Sequence, residues 1–557
     1  MSEKITSAPL EDEKAIHSQY EHAPELEHGD DPKKPKYAAN TQLDDAARIL
    51  AEAGEFEYTA AQAKRVLRKI DLYVCLPMCL TYFVQQLDKS SVSYAAVFNL
   101  QKETTPELVG SQYSWLTSVV YLAQFVCQPL SAYALIVVPV KYWVMFNYIC
   151  WSVVTMCTGA ATNFTGLILA RFFLGCFEAT ILPSFVLITQ MWWTRREQSY
   201  RTIAYQIANS MAAIIGPLLS YGVGRAAVTA TSVKQYQVIF FAMGALSLFL
   251  APIVWFLMPN SPTTAKFLRN GDDRIIALDR LKENNTGTKS STFKWSQVWE
   301  TYRDIKTWAW AAMWFCAACP SGGIGAFGGL ITKGFGFDTF TSILMQIPTG
   351  AIGITGLLIG IYVTNRIKMR WPVLAVIVLF PIAGAIGLTQ VPRTQPNALM
   401  GCYYVAFVFS CIQPLLISWC NLNAAGTTKR VVTTATMFAA LTIGNTVGPQ
   451  VYLASEAPQY PTGLYVDIGC WCVLELLIIW MGFYLARLNR SQEAKRVALG
   501  LPADIKDMSI MSTAEADAYK VELAEMMRRA GMDYGKATEG SFDDLTDRQN
   551  PHFQYVV

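Results

Sequence analysis

Ionisable side chains stand inside several long apolar runs of this 557-residue chain. The most informative are Asp88 and Lys89 in one run, and Arg171 and Glu178 in another. A charge at the centre of a membrane helix costs roughly 2.5–3.5 kcal/mol on insertion scales, so such groups usually face a bundle interior and a partner. Lysine and arginine supply fixed positive charge that suits a carboxylate, and a buried carboxylate can bind and release a proton. These residue types could therefore bind a small organic anion and carry a proton.

The spacing of these residues places them on shared helix faces. Arg171 and Glu178 are seven residues apart, nearly two helical turns, so both project to one side about 10.5 Å apart along the axis. Gly175 lies between them and leaves room beside the arginine. In the other run, Gln85 and Lys89 are four residues apart and share a face.

A purely structural role is open for each of these groups. Arg171 could bond a backbone carbonyl, and Asp88 could pair with a neighbouring helix. Asp88 and Lys89 lie nearer the end of their run, where Lys89 could reach the membrane interface. No histidine lies in any apolar run, so a proton carrier would be a carboxylate, and the candidates are Glu178 and Asp88.

The composition indicates the solvent that surrounds the protein. Hydrophobic residues make up 52% of the chain and charged residues 16%. An average soluble chain is about 25% charged, so about 50 charged residues are missing. This deficit excludes a disordered chain, a coiled coil and a pair of ordinary soluble domains, and it predicts a lipid-facing surface. The net charge of +3 is too small to indicate nucleic acid as a partner.

Motifs that would indicate other chemistries do not lie in the structural context that those chemistries require. The segment 323–328 reads GxGxxG, but it follows no strand and lies inside an apolar run, so it indicates close packing or a hinge and not a dinucleotide site. Cys316 and Cys319 have CxxC spacing without a soluble redox fold around them, and we interpret them as packing residues. No phosphate-binding loop, activated nucleophile or metal cluster is evident in the sequence. We therefore expect neither an enzyme nor a cofactor or metal site.

Twelve apolar runs are long enough to cross a bilayer as helices of about 20 residues. We therefore predict an all-α membrane protein with twelve transmembrane helices in two six-helix halves. The predicted spans, numbered 1 to 12, are 71–95, 112–138, 142–162, 165–191, 202–224, 236–258, 308–331, 341–364, 371–390, 398–421, 431–453 and 463–486.

Charge divides the chain into five regions. We predict a cytoplasmic tail over 1–69, a six-helix half over 70–258, a cytoplasmic central loop over 259–306, a second half over 307–487 and a cytoplasmic tail over 488–557. Lysine and arginine concentrate in the even-numbered loops, which places these loops and both tails in the cytoplasm. Candidate gating residues lie in these basic loops: Lys141, Arg195, Arg196, Lys429 and Arg430.

The two halves also correspond locally. Span 5 contains Gly216-Pro217 and span 11 contains Gly448-Pro449, each after a basic loop. Interrupted helices in matching positions point to a moving element that lines a cavity. Glycine and proline are also common in membrane helices generally, so a simple packing role stays open. Asn445 of span 11 could line the cavity of the second half or bond between helices.

A set of motifs along the chain resembles one known family. The motifs are Lys64–Asp71, Leu87–Ala95, Ala170–Ala179, Trp192–Gln198, Met258–Pro262, Asn423–Arg430, Gly444–Gln450 and Ala457–Tyr460. Together they resemble the major facilitator superfamily and, within it, the fungal allantoate-permease-like group of the anion:cation symporter family. The resemblance covers about residues 60–490.

This resemblance implies proton-driven uptake of a small organic anion by alternating access around a central site between the halves. Members of the group carry substrates such as allantoate, ureidosuccinate and nicotinate. In related anion transporters a basic residue of the first span and an arginine of the fourth contact the substrate carboxylate, and Lys89 and Arg171 resemble these positions. Glu178 resembles a glutamate associated with proton coupling. The superfamily's signature loop usually carries an acidic residue and an arginine, whereas here that loop retains only Lys141.

We therefore expect a monomeric, proton-coupled uptake transporter of a small carboxylate in the plasma membrane, with the proton as coupling ion and no cofactor. The candidate substrate-binding residues are Lys89, Arg171, Gln85, Tyr94 and Asn445. The candidate proton-coupling residues are Glu178 and Asp88. Two alternatives remain open. The first is a proton-driven exporter of a metabolite or toxin, for which the glycine pattern of span 5 is incomplete, and the second is a nutrient receptor that signals through its long tails.

Overall fold

The computed structural model describes residues 58–228, 233–268, 271–282, 294–498, 546–550 and 553–557, together with residues 49 and 522. These residues are helical and contain no strand, and each of the twelve predicted spans is helical along most of its length. Most of the two predicted tails, including all four histidines, lies outside the described residues. The all-α membrane fold predicted from the sequence is therefore confirmed.

Spans 1 to 6 form the first half. A helix over Ala60–Ile70 leads through a π-helical turn, Asp71–Cys75, into span 1. Span 4 breaks into two helices after Glu178, where the sequence predicts a single one. The helices of spans 1 to 6 are Leu76–Val97, Gln112–Val137, Val140–Ala160, Phe164–Glu178 with Ile181–Trp192, Arg195–Ala227, and Gln235–Leu257.

Spans 7 to 12 form the second half, which follows two short helices of the central loop, Gly271–Lys282 and Trp295–Arg303. Spans 8 and 10 are each broken, and span 11 ends in a 3-10 turn, Gly448–Val451. The helices of spans 7 to 12 are Ile305–Lys333, Thr339–Leu344 with Ile347–Ile367, Trp371–Gln390, Pro396–Ala406 with Ile412–Leu422, Thr427–Val447, and Pro461–Ala498.

Eleven helical segments among the described residues are long and apolar enough to cross a membrane. The helix Val140–Ala160 is not one of them, although it has 21 residues and occupies the place of predicted span 3. Its sequence contains asparagine, tyrosine, tryptophan, one serine and two threonines, which lower its hydropathy. Its serine and threonine hydroxyls bond carbonyls within the helix, as Ser152 does to that of Tyr148 at 2.8 Å, whereas the Tyr148 hydroxyl donates to the Ser247 carbonyl of span 6 at 3.0 Å.

Glycines set the spacing of the helix pairs that build each half. A Cβ at Gly175 of span 4 would lie 2.8 Å from the Ala123 Cβ and would clash with the carbonyl oxygen of Val120, both in span 2. Gly175 therefore allows the backbone of span 2 to pack closely against span 4. The sequence had indicated instead that this glycine leaves room beside Arg171. Gly444 of span 11 similarly meets Ala318 of span 7. Small residues at such crossings let membrane helices pack closely.

The two Gly-Pro pairs differ in the structure. Pro217 lies inside the continuous helix Arg195–Ala227, and Gly216 leaves space for the Tyr94 hydroxyl, which would lie 2.7 Å from a Cβ there. Gly448 instead begins the 3-10 turn that ends span 11, and it packs against the backbone of span 7 at Cys319. The local correspondence between the halves therefore holds for sequence position but not for helix geometry.

The halves meet along a seam at one end of the bundle, which we call the seam end. Lys333 Nζ donates to the Val97 carbonyl at 2.7 Å and to Asn99 Oδ1 at 2.9 Å. The Tyr113 hydroxyl donates to the Ala326 carbonyl at 2.7 Å. Each of these bonds joins the first half to the second, so the bundle is closed at the seam end.

The close crossing at Gly175 predicts the effect of adding one methyl group. Gly175→Ala should lower the thermal unfolding midpoint of the purified protein, because overpacking a tight contact costs about 1–3 kcal/mol. Gly469→Ala is the matched control, since a Cβ at Gly469 would have no heavy atom within 4 Å. Equal midpoints for the two variants would show that span 2 can move away from span 4 at little cost.

Candidate functional site

An ion pair joins spans 1 and 4 in the interior of the first half. Lys89 Nζ lies 3.6 Å from Glu178 Oε2, and the Gln124 amide donates to the same oxygen at 3.0 Å. The Glu178 side chain is fully buried, whereas 26% of the Lys89 side chain is exposed. Among the described residues, no group bonds Glu178 Oε1. The pair therefore has a buried carboxylate on one side and an accessible ammonium on the other.

Arg171 lies deeper in the first half than Lys89. The residue is 2% exposed, and its guanidinium donates to Ser91 Oγ at 3.1 Å and lies 5.1 Å from the centre of the Phe240 ring. Arg171 and Glu178 both belong to the buried face of the helix Phe164–Glu178, as their spacing predicts. The structure thus brings Lys89 to Glu178 and places Arg171 between spans 1 and 6.

Asp88 lies next to Arg171 in this buried layer. The carboxylate is fully buried, and Ser247 Oγ of span 6 donates to its Oδ2 at 3.2 Å. The hydroxyl of Ser91, which accepts from Arg171, donates in turn to the backbone carbonyl of Asp88 at 2.6 Å. Asp88 and Lys89, adjacent in sequence, therefore point to different surroundings, and only Lys89 is in contact with Glu178.

The other predicted binding residues are buried as well. Gln85 and Tyr94 lie on span 1, and Tyr94 packs against Gly216 of span 5. The Asn445 amide donates to the carbonyl of Leu441 in its own helix at 3.0 Å. The Asn445 amide donor is therefore bound within its own helix, and the Asn445 backbone packs against span 7.

The predicted gating residues have varied surroundings. Lys141 Nζ lies 5.0 Å from the Trp255 ring centre, and the Arg430 guanidinium donates to the Ala424 carbonyl at 3.2 Å. Lys429 is buried and bound by acidic side chains of the second half and its neighbours: Glu300, Asp304 and Asp547. Arg195 and Arg196 begin the helix of span 5, but their side chains lie outside the described part of the structure.

The sequence did not reveal three polar residues of this site. Gln124, Ser91 and Ser247 complete the hydrogen bonds of Glu178, Arg171 and Asp88. A single uncharged polar residue on an apolar helix carries no spacing signal, and its partner on another span depends on how the helices rotate against each other. Gln124 is unusual in the sequence only because it is a polar residue within an apolar run.

Residues 323–328 lie inside the continuous helix Ile305–Lys333 and act in packing. A Cβ at Gly323 would lie 2.5 Å from the Tyr452 ring and one at Gly328 would clash with the Tyr403 hydroxyl, whereas one at Gly325 would have no heavy atom within 4 Å. Cys316 and Cys319 are buried in the same helix as free cysteines. The packing interpretation of both motifs agrees with this geometry.

Comparison with known proteins identifies the family. The Major Facilitator Superfamily model matches residues 78–449, more than half of the chain. The chain belongs to the major facilitator superfamily. It is therefore a multi-pass membrane transporter of a small molecule, and it is not an enzyme.

Relatives within the superfamily span nearly the whole chain. An uncharacterized transporter of Schizosaccharomyces pombe is 31% identical over 93% of this chain and 92% of its own length. The allantoate permease of Saccharomyces cerevisiae is 25% identical over 93% of this chain and 90% of its own length. These relatives agree with the allantoate-permease-like group that the motifs indicate.

Solved structures support the fold. A bacterial homolog of the human lysosomal transporter Spinster, solved in an inward-facing and unoccupied conformation, has a TM-score of 0.55 at 14% identity. The alignment covers 76% of this chain and 97% of the bacterial chain. The shared fold is that of a superfamily transporter.

The ion pair of Lys89 and Glu178 predicts a coupled effect on stability. Lys89→Met should lower the thermal midpoint of the purified protein, because removing one partner of a buried pair costs about 3–5 kcal/mol, less here since Lys89 is partly exposed. The double variant Lys89→Met/Glu178→Gln should recover most of the loss, because no unpaired carboxylate remains. Lys102→Met removes an exposed lysine and serves as the control. Additive losses in the double variant would contradict the pairing.

Proposed function

We propose that this protein is a proton-coupled uptake transporter for a small organic anion of the allantoate, ureidosuccinate or nicotinate type. The observation that carries the proposal is the pair of an accessible lysine and a buried glutamate, Lys89 and Glu178, in the interior of the first half. The proton is the coupling ion, and no cofactor takes part. We propose a monomer as the working unit.

The ion pair of Lys89 and Glu178 can couple the binding of a proton to the binding of a substrate carboxylate. While Glu178 is ionised, its carboxylate competes with the substrate for the Lys89 ammonium, 3.6 Å away. When Glu178 accepts a proton, the lysine loses its partner and can bind the substrate carboxylate with its exposed side. Substrate binding in turn favours protonation of Glu178, because thermodynamic coupling between two ligands is reciprocal. Anion and proton are therefore taken up together.

Arg171 adds fixed charge behind this pair. Its guanidinium is buried and held by Ser91, so it lies away from the accessible side of Lys89 in the described conformation. In the proposal, Arg171 keeps the interior positive and becomes a direct partner of the carboxylate when the halves rearrange. Asp88, bound to Ser247, balances the charge of Arg171.

The seam supports alternating access. With both tails and the even-numbered loops in the cytoplasm, the seam end faces the outside, and the described conformation is closed there. At the opposite end, the described ion pair of Arg201 with Asp71 joins groups of the first half, and that of Lys429 with Glu300 joins groups on the second-half side. Contacts of this kind let each half move as a unit. We place the protein in the plasma membrane, where it would import its substrate.

The substrate class rests on the charge of the site and on the relatives. A lysine and an arginine on the inside of the first half suit a ligand with a carboxylate, and guanidinium groups bind carboxylates through two parallel hydrogen bonds. Allantoate, named in the permease of Saccharomyces cerevisiae, is such an anion.

Uptake measurements test this proposal. In cells that express the chain, labelled allantoate and nicotinate should accumulate faster at low external pH, and Glu178→Gln should remove this pH dependence. Arg171→Lys should reduce uptake severalfold, because lysine cannot reproduce the guanidinium fork. Glu475→Gln, which neutralises an acid of span 12, is the matched control.

Two results would contradict the proposal. One is normal, pH-dependent uptake by both Arg171→Lys and Glu178→Gln. The other is expulsion of a toxic compound from the cells without uptake of any organic acid, which would favour the exporter.

A further inference from the structure

The last described residues of the chain, 546–550 and 553–557, lie against the second half at the end opposite the seam. We call these residues the strap. Thr546, Asp547, Tyr555 and Val556 are all buried. The sequence places the strap in a polar tail, yet the structure packs it on the ends of spans 7, 9, 10, 11 and 12, where the contacts described next hold it.

Charge holds the first part of the strap. Asp547 Oδ1 lies 2.9 Å from Lys429 Nζ at the start of span 11, and Oδ2 pairs with Lys306 at the start of span 7. Arg548 pairs with Asp304 at 2.9 Å. Burial would raise the pKa of Asp547, but the two lysines outweigh it and lower this pKa to about 2. One carboxylate of the strap thus contacts two buried lysines.

Backbone hydrogen bonds hold the second part of the strap. The Asn489 side chain of span 12 accepts from the Tyr555 N–H and donates to the Tyr555 carbonyl, both at 2.8 Å. Asn423 forms the same pair of bonds with Val556, at 2.9 and 3.0 Å. A side-chain amide has one donor group and one acceptor, so it can pair with a peptide unit as a neighbouring strand would. The two asparagines therefore bind the strap through its backbone.

Aromatic contacts complete the site. The Trp419 indole donates to the Val556 carbonyl at 2.8 Å. The Tyr555 hydroxyl donates to Asp547 Oδ2 at 2.8 Å, and the Tyr555 ring lies 4.4 Å from Lys306 Nζ. The charged and backbone-binding parts of the strap are thereby joined into one unit.

We propose that this end of the second half is a docking site for the strap, and that transport requires the strap to be docked. Lys306 and Lys429 begin spans 7 and 11, which also carry the seam contacts Ala326, Lys333 and Thr446. Without Asp547, two buried lysines would depend on Asp304 and Glu300 alone. Breaking a buried pair by removing one partner is strongly destabilising, so spans 7 and 11 would separate or shift.

A change in pH does not release the strap. A carboxylate whose pKa is lowered in the folded state stabilises that state fully above its unfolded pKa of about 4. The contribution is lost only as the pH falls through the folded pKa of about 2. Docking therefore holds across physiological pH, and the strap has to be displaced by competition or by a change in its covalent structure.

The test uses the full-length chain and a fluorescent peptide of residues 546–557. Asp547→Asn should lower the thermal midpoint, reduce uptake of labelled allantoate severalfold, and leave the site open, so that the peptide binds this variant and not the wild type. A peptide that carries Asn in place of Asp547 should bind neither. Glu493→Gln neutralises an exposed acid of span 12 and is the control, with wild-type behaviour expected.

A second variant keeps the proposal testable if Asp547→Asn does not fold. Asn489→Leu removes the two bonds to Tyr555 without changing any charge, and it should also admit the peptide. Wild-type midpoint and no peptide binding in both variants would overturn the proposal. The transport part rests on the proposed function, but peptide binding and the thermal midpoint need no substrate. The docking site can therefore fail while uptake stands, and uptake can fail while the docking site stands.

Discussion

The structure depends on one constraint, which is that charge inside the membrane has to be compensated from within the protein. Desolvating an ion costs several kcal/mol even after relaxation, so each buried charge fixes the position of its partner. Glu178 is compensated by Lys89 and Gln124, across three spans. The same rule acts at the end of the second half, where Asp547 and Asp304 both pair with Lys306 and Lys429. The first pair is partly accessible and can exchange its partner, whereas the second is closed and holds helices in place.

Small residues let the helices of each half pack closely, so that each half can move as a unit. Gly175 and Gly444 bring helices of one half together, while Gly329 brings span 7 close to span 1 across the seam. The described seam contacts of Tyr113 and Lys333 are hydrogen bonds to uncharged oxygen atoms. Breaking them leaves no carboxylate unpaired. A fold with ion pairs inside each half and uncharged acceptors at the seam suits rocking about a central site.

Local sequence signals predicted the architecture, because hydropathy and length decide whether a segment crosses a membrane. They also placed Arg171 and Glu178 on one buried face, which follows from helix period alone. They did not predict that Lys89 meets Glu178, since that contact depends on the rotation of span 1 against span 4. The strap was missed for another reason. Its polar sequence resembles a solvated tail, and only Asn423 and Asn489, distant in the chain, give it a binding site. We therefore expect deletion of the C-terminal tail to disturb the second half as well.

The central claim is that the substrate carboxylate takes the place of Glu178 on Lys89 while Glu178 accepts a proton. The most direct measurement is the proton uptake that accompanies substrate binding to the purified protein in weak buffer, recorded with a pH indicator. The account predicts that the wild type takes up about one proton per bound anion as the pH crosses the titration range of Glu178. It also predicts that Glu178→Gln binds the anion without proton uptake. Equal proton uptake by the variant and the wild type would contradict the account.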